Sequence, residues 1–188
     1  VSLIQESVGG SLEQVLKVLL PLTSVERRRF LFLPTASNWV AYFDNGHRGT
    51  DAFAPMSYLA RILGCRGVRA VAVPHTIEGE ARGASGRYGA VILEIYGPTK
   101  AGPLNQVRSI AAANDGGKWV FHASGIPQPF EQLEKYEEDR LQDRFTVQML
   151  DTYLRALGIL AFEGSFYLPD ARGAQLIHKE GPIAGGAR

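Results

Sequence analysis

Asp44, His47 and Asp51 stand close together in the chain. Two carboxylates and an imidazole are the ligand types that suit a divalent ion. Arg48 lies among them, so the four residues could also line a polar pocket for a phosphorylated or sugar substrate. Their spacing is not diagnostic of a metal site, and further ligands would have to come from elsewhere. The plainer reading has Asp44 capping a turn, His47 solvated and Asp51 leading into a helix. No metal and no cofactor is expected.

The remaining chemistry-bearing residues are more scattered. His75, His122 and His178 show no i, i+4 partner histidine, so the helical zinc pair is missing. Gly79 to Gly86 looks like a phosphate cradle but lacks the terminal Gly-Lys-Ser/Thr and leads into a strand. A phosphate loop needs a helix N-terminus behind it. Glu78 and Glu80 are an acid/base pair by type and solubilising charge by setting. No serine sits in a nucleophile elbow. Cys65 is the only cysteine, which rules out an internal disulfide framework; it reads as a small buried hydrophobe.

The segment that carries the first cluster runs from Ser37 to Asp51. Trp39, Ala41 and Phe43 alternate against Val40 and Tyr42, the period of a strand. Asp44-Asn45-Gly46 then supplies residues that tolerate the positive φ of a tight turn. An aromatic strand thus delivers polar groups to a loop, where sites concentrate. Trp39, Tyr42, Asp44, Asn45, His47, Arg48 and Asp51 are therefore candidates for contact with a partner.

Around this segment the elements alternate. Ser11-Leu-Glu-Gln14 is a capping box ahead of the stripe Leu12, Val15, Leu16, Leu19. Phe30 to Leu33 predicts a strand, and Pro55 stands in the first turn of a helix that Gly64 ends. Val68 to Val73 and Tyr88 to Tyr96 predict two further strands. Leu104, Val107, Ile110 and Ala111 predict a third helix, and Lys118 to Ser124 a fifth strand. Phe130 to Arg144 predicts a charged helix with Leu133, Tyr136 and Leu141 inward. Thr146 caps a last helix with Val147, Leu150, Leu154 and Leu157 buried, and the tail from Asp170 is expected to be irregular and peripheral. The expected fold is a single α+β domain over 1–188, with a mostly antiparallel sheet of about five strands, packed helices and a helical C-terminal part.

Composition limits the function. An apolar fraction of 45% and a charged fraction of 21% are ordinary for a soluble globular protein. A net charge of +1, with Arg27-Arg28-Arg29 as the only basic run, argues against a dedicated nucleic-acid binder. No run approaches the roughly 18 apolar residues of a membrane helix. The first ten residues lack the basic and apolar regions of a signal peptide. A lone cysteine suits a reducing cytoplasm, the expected location.

Charge is distributed unevenly. Glu131, Glu134, Glu137, Glu138, Asp139 and Asp143 face only Lys135, Arg140 and Arg144 between 131 and 144. Such a face is either plain solvated surface or a device that steers a basic partner, with Glu134, Glu137 and Glu138 as its contact candidates. From Lys118 to Ile159, and again at Phe162 to Tyr167, the chain shows a Trp-centred strand, a Ser-Gly turn, Pro-Phe-Glu, a Tyr-bearing charged helix, Asp-Arg-Phe and a Leu-Gly-Ile helix end. This pattern resembles uncharacterised bacterial proteins of the immunity type, encoded beside polymorphic or Rhs-type secreted toxins. The resemblance implies a small cytoplasmic domain without cofactor or reaction that occludes a toxin through an exposed patch. The rival expectations are an enzyme with a pocket around Asp44, His47, Arg48 and Asp51, and a structural domain without a small ligand.

Overall fold

The computed structural model describes residues 2–22, 29–46, 53–77, 86–98, 103–170 and 173–180. The fold is α+β and antiparallel throughout, but the strands form two four-stranded sheets rather than one sheet of about five. The chain divides into two compact units where one was expected. Unit 1 comprises Val1–Ala52 with Gly158–Arg188, and unit 2 comprises Phe53–Leu157.

In unit 1 the strands are β1 (Ser2–Val8), β2 (Arg29–Pro34), β3 (Val40–Asp44) and β8 (Ala174–Glu180), in the order β1-β8-β2-β3. Helix α1 (Leu12–Lys17) begins at the predicted capping box. The Ser11 hydroxyl accepts from the Gln14 N–H at 3.3 Å, and the Gln14 side chain accepts from the Ser11 N–H at 2.8 Å. Strand period decides what β2 buries: Leu31 and Leu33 point into a core with Val15, Leu19, Ala174 and Leu176. Phe30 and Phe32 occupy the opposite face, against Tyr42. The tail expected to be peripheral is thus an inner strand of this sheet. Its Leu176 lies opposite Leu31, and its Ala174 pairs with Val8. Composition hid it, because the flanking glycines read as a loop while burial of Ala174 and Leu176 supplies the pairing force.

Unit 2 is a meander of β4 (Gly67–Val73), β5 (Ala90–Tyr96), β6 (Gln106–Asp115) and β7 (Lys118–Gly125). Helix α2 (Phe53–Ile62) packs beside β4, where a Cβ on Gly67 would already stand 3.3 Å from that of Ala60. Gly64 ends the helix in the left-handed region, at φ 62°. The predicted third helix is not formed. A turn at Pro103–Asn105 is followed by β6, whose Ile110 and Ala112 are buried opposite Leu93 and Val91. The buried Asn105 fixes that turn: its amide donates to the Gly97 carbonyl at 2.5 Å and accepts from the Ser57 hydroxyl at 2.7 Å. Alanine-rich 111–113 favours helix locally, and cross-strand pairing overrides that preference.

Residues 126–146 contain no α-helix; they hold short 3₁₀ turns at Leu133–Glu137 and Leu141–Asp143. The predicted charged helix is therefore corrected to an irregular segment. Tyr136 is buried as expected, but Leu133 and Leu141 are exposed. Helix α3 (Val147–Ala156) does start at Thr146, whose hydroxyl accepts from the Met149 N–H at 3.3 Å. It buries Met149, Leu150, Tyr153 and Leu154, while Val147 is exposed and Leu157 only half-buried. Cys65, expected inside, is exposed.

Candidate partner-binding surfaces

The aromatic element lies in unit 1 and the acidic segment in unit 2; each is described by itself. Trp39 precedes β3 and is half-buried, with its carbonyl accepting from the Thr35 hydroxyl at 2.5 Å. Tyr42 is stacked on Phe30 at 6.1 Å and meets Phe32 edge-on at 5.4 Å. Val40, between them in sequence, is 62% exposed on an edge strand of the sheet. Asp44 ends β3, its carboxylate accepting from the Gly46 N–H at 2.7 Å, and Asn45 continues the pairing with Arg29 rather than taking the positive φ of the expected tight turn.

Asn45 is only 2% exposed. Its side-chain oxygen accepts from the Arg29 N–H at 2.9 Å, and its amide donates to the Pro21 carbonyl at 3.3 Å. It therefore joins the start of β2 to the segment after α1 and shapes the surface from beneath. His47, Arg48 and Asp51 lie outside the described residues, as do Glu78, Glu80 and most of the Gly79 to Gly86 loop. Among the described residues, no group of three or more His, Cys, Asp and Glu is placed to hold a metal ion, and no helix is long and apolar enough to cross a membrane.

In unit 2 the acidic segment is held by a buried clasp. Arg108 projects from β6 and meets Glu131 in a bidentate pair, Nε to Oε1 at 2.9 Å and Nη2 to Oε2 at 2.6 Å. Their side chains are 4% and 0% exposed. Glu131 also accepts from the Gln128 N–H at 2.7 Å and the Tyr136 hydroxyl at 2.9 Å. The Gln132 N–H donates to the Tyr153 hydroxyl at 2.7 Å. These bonds take the backbone and side chains of 128–136 away from a helical ladder, which explains the irregular path. Phe121 packs on Tyr136 at 5.2 Å, and Phe130 and Phe145 on Tyr153 at 5.5 and 5.7 Å.

Outside this mount the acids face solvent. Glu134, Glu137 and Glu138 are exposed. Lys135 pairs with Glu138 at 2.8 Å, which holds the Glu138 carboxyl below and the lysine above their ordinary pKa values, through the hydrogen bond first and the charge second. Arg140 stands 3.6 Å from Asp143. Arg144 donates to the Glu138 carbonyl at 2.7 Å and lies over the Phe121 ring at 5.8 Å. Glu137 and Asp139 make no ion pair among the described residues. The three bases are thus occupied locally, and a surplus of negative charge remains at the turn.

Neither buried pair in unit 2 was identified from the sequence. The second joins Arg69 of β4 to Glu94 of β5 at 2.8 Å, with the Tyr96 hydroxyl donating to the same carboxylate at 2.9 Å. The signal was a lone Glu inside AVILEIY and a lone Arg inside QVRSIAAA: a charge in a buried apolar strand needs a partner.

These tyrosines make stability sensitive to alkali. Burial, the Tyr153 hydrogen bond and Glu131 push the Tyr136 hydroxyl far above its ordinary pKa; burial and then Glu94 do the same for Tyr96. An unfolded tyrosine ionises at about pH 10. Folding therefore favours the neutral form, and its contribution is complete below about pH 10 and lost as pH rises beyond it. Urea midpoints should fall between about pH 9 and about pH 12, and Tyr96→Phe should flatten the fall. Tyrosinate absorbance that develops fully with no loss of stability would count against these assignments.

Comparison with protein-family models, with curated protein sequences and with solved structures returns no match for this chain.

Proposed function

We propose that this protein binds another protein, as a bacterial immunity factor that neutralises a cognate toxin in the cytoplasm by occluding it. The observation that supports this reading is the acidic turn from Glu134 to Asp139, solvent-facing and anchored to its sheet by the buried Arg108–Glu131 pair. A rigid mount lowers the entropy lost on docking. A surplus of carboxylates suits a cationic target, and a toxin that acts on nucleic acid exposes cationic groups because its substrate is anionic. Tyr42 and the exposed Val40 on one face of β3, and Trp39 at its start, offer apolar contacts of the kind that anchor interfaces.

The test uses the product of a neighbouring toxin gene and the variant Glu134→Lys/Glu137→Lys/Glu138→Lys. Rim charges govern encounter more than residence, so association should slow and its salt dependence weaken. Stability should change by no more than about 0.5 kcal/mol, since the sites are on the surface. Unchanged association rates with protection intact would remove the acidic turn from the interface. A Trp39→Ala variant measured in parallel then reports on the aromatic element. A neighbouring gene whose product neither binds nor kills would remove the immunity reading itself.

A further inference from the structure

Each sheet ends in two strands with one unpaired edge. Unpaired edges invite pairing with another chain, and proteins guard them with lysine, proline, bulges or polar residues. Three of the four carry such guards or have further contacts. Strand β1 is polar, with Gln5, Glu6 and two serines. Strand β7 begins at Lys118 and carries exposed His122. Strand β3 ends at Asp44, and Trp39, Tyr42 and Asp44 at this edge have interactions beyond those given above.

Strand β4 differs. Its sequence GVRAVAV has no proline, lysine or bulge over seven residues, and it pairs with β5 in unbroken register. Ala70 and Ala72 are exposed, and none of its backbone groups finds a partner outside β5 among the described residues. Its single charge, Arg69, would normally forbid a neighbouring strand. Here Glu94 of the same chain neutralises it at 2.8 Å.

We infer that β4 is the seam of a two-fold homodimer, in which two copies pair antiparallel across this edge to form a continuous eight-stranded sheet. The strand is self-complementary about its middle residue. With the axis at Ala70, alanine meets alanine, Arg69 faces Val71, Val68 faces Ala72 and Gly67 faces Val73. No uncompensated like charges are brought together, because each arginine keeps its own glutamate. A net charge of +1 offers little repulsion to self-association. The pairing also gives an apolar surface a place to go. Helix α2, beside Gly67, exposes Tyr58 and Ile62, and Leu63 just after it is also exposed; the two-fold sets the second copy's α2 near the Val73 end of β4. An isologous contact of this kind closes on itself and stops at two copies.

The inference does not rest on the partner proposed above. Its test is sedimentation equilibrium of the whole chain over a range of concentrations. The wild type should show a reversible monomer–dimer equilibrium. Ala70→Lys sets two lysines opposite one another and should abolish the dimer at concentrations where the wild type is dimeric, and so should Ala70→Glu. Mixing the two variants should restore a dimer, because lysine then meets glutamate across the axis. Circular dichroism should show both variants folded. A wild type that stays monomeric throughout, a dimer that survives Ala70→Lys, open-ended aggregation, or folded variants that fail to pair when mixed would each overturn the inference.

Discussion

Glu131→Ala should be the most damaging single substitution of a charged residue in unit 2, lowering stability by about 3–5 kcal/mol. The reason is asymmetry. The pair itself contributes little, because two ions had to leave water. Removing one partner leaves the Arg108 guanidinium buried without its counter-ion, a Gln128 N–H without its acceptor, and a Tyr136 hydroxyl with only the longer 3.4 Å bond to the Tyr153 hydroxyl. Arg108→Ala should cost a similar amount for the mirror-image reason. The double variant Arg108→Met/Glu131→Leu should lose less than the sum, since well-packed apolar groups can replace an ion pair. Urea unfolding of these proteins, with Arg108→Ala/Glu131→Ala added, closes the double-mutant cycle and sets the apolar replacement beside it. Limited proteolysis adds location: cleavage of Glu131→Ala should begin within 126–146, the segment the clasp holds. A loss below about 1 kcal/mol would show that the aromatic contacts of Tyr136 and Tyr153 hold that segment unaided.

Gly125→Ala should be comparably severe for a different reason, at about 3 kcal/mol or more. Gly125 closes β7 at φ 85°, where side chains are rarely tolerated. A Cβ built there overlaps the Val107 carbonyl of the neighbouring strand. That carbonyl cannot move aside easily, because it accepts from the Ile126 N–H at 2.9 Å. Gly116→Ala is the control. It also has positive φ, at 61°, but a Cβ there meets nothing within 4 Å. Its loss should stay at about 1 kcal/mol, from the backbone conformation alone. Thermal melts of the two variants separate strain from collision, and equal losses would refute the collision.

What the sequence disclosed follows its physics. Local devices were legible: the capping box at Ser11, the Thr146 cap and the Gly64 stop depend on residues within a few positions of one another. Apolar alternation gave β2 to β5 and β7. The failures all involve distant partners. Gln106–Asp115 reads as helix until β5 and β7 lie on either side of it. The acidic segment reads as helix until Arg108 draws Glu131 inward from 23 residues away. Ala174–Glu180 reads as tail until β1 and β2 receive it. For the candidate surfaces, residue type and exposure were legible at Glu134, Glu137 and Glu138. The burial of Asn45 was not, since nothing near it in sequence shows that Arg29 and Pro21 would close over it.

The place of β8 sets an order of events at the ribosome. Strand β1 pairs with β8 alone, and Gln5 meets Gln175 across 170 positions of chain. Unit 2 draws its sheet wholly from the residues between them. As the chain emerges, the meander of β4 to β7 can close while β1 still waits for a neighbour. Contacts between distant residues form slowly because a long loop must close first. During that interval β1 and the open side of β2 are exposed strands in search of partners. Stopping translation before Ala174 would leave a chain whose middle is formed and whose first strand has nowhere to bind. Such a nascent chain is a natural client for a chaperone that covers unpaired strands.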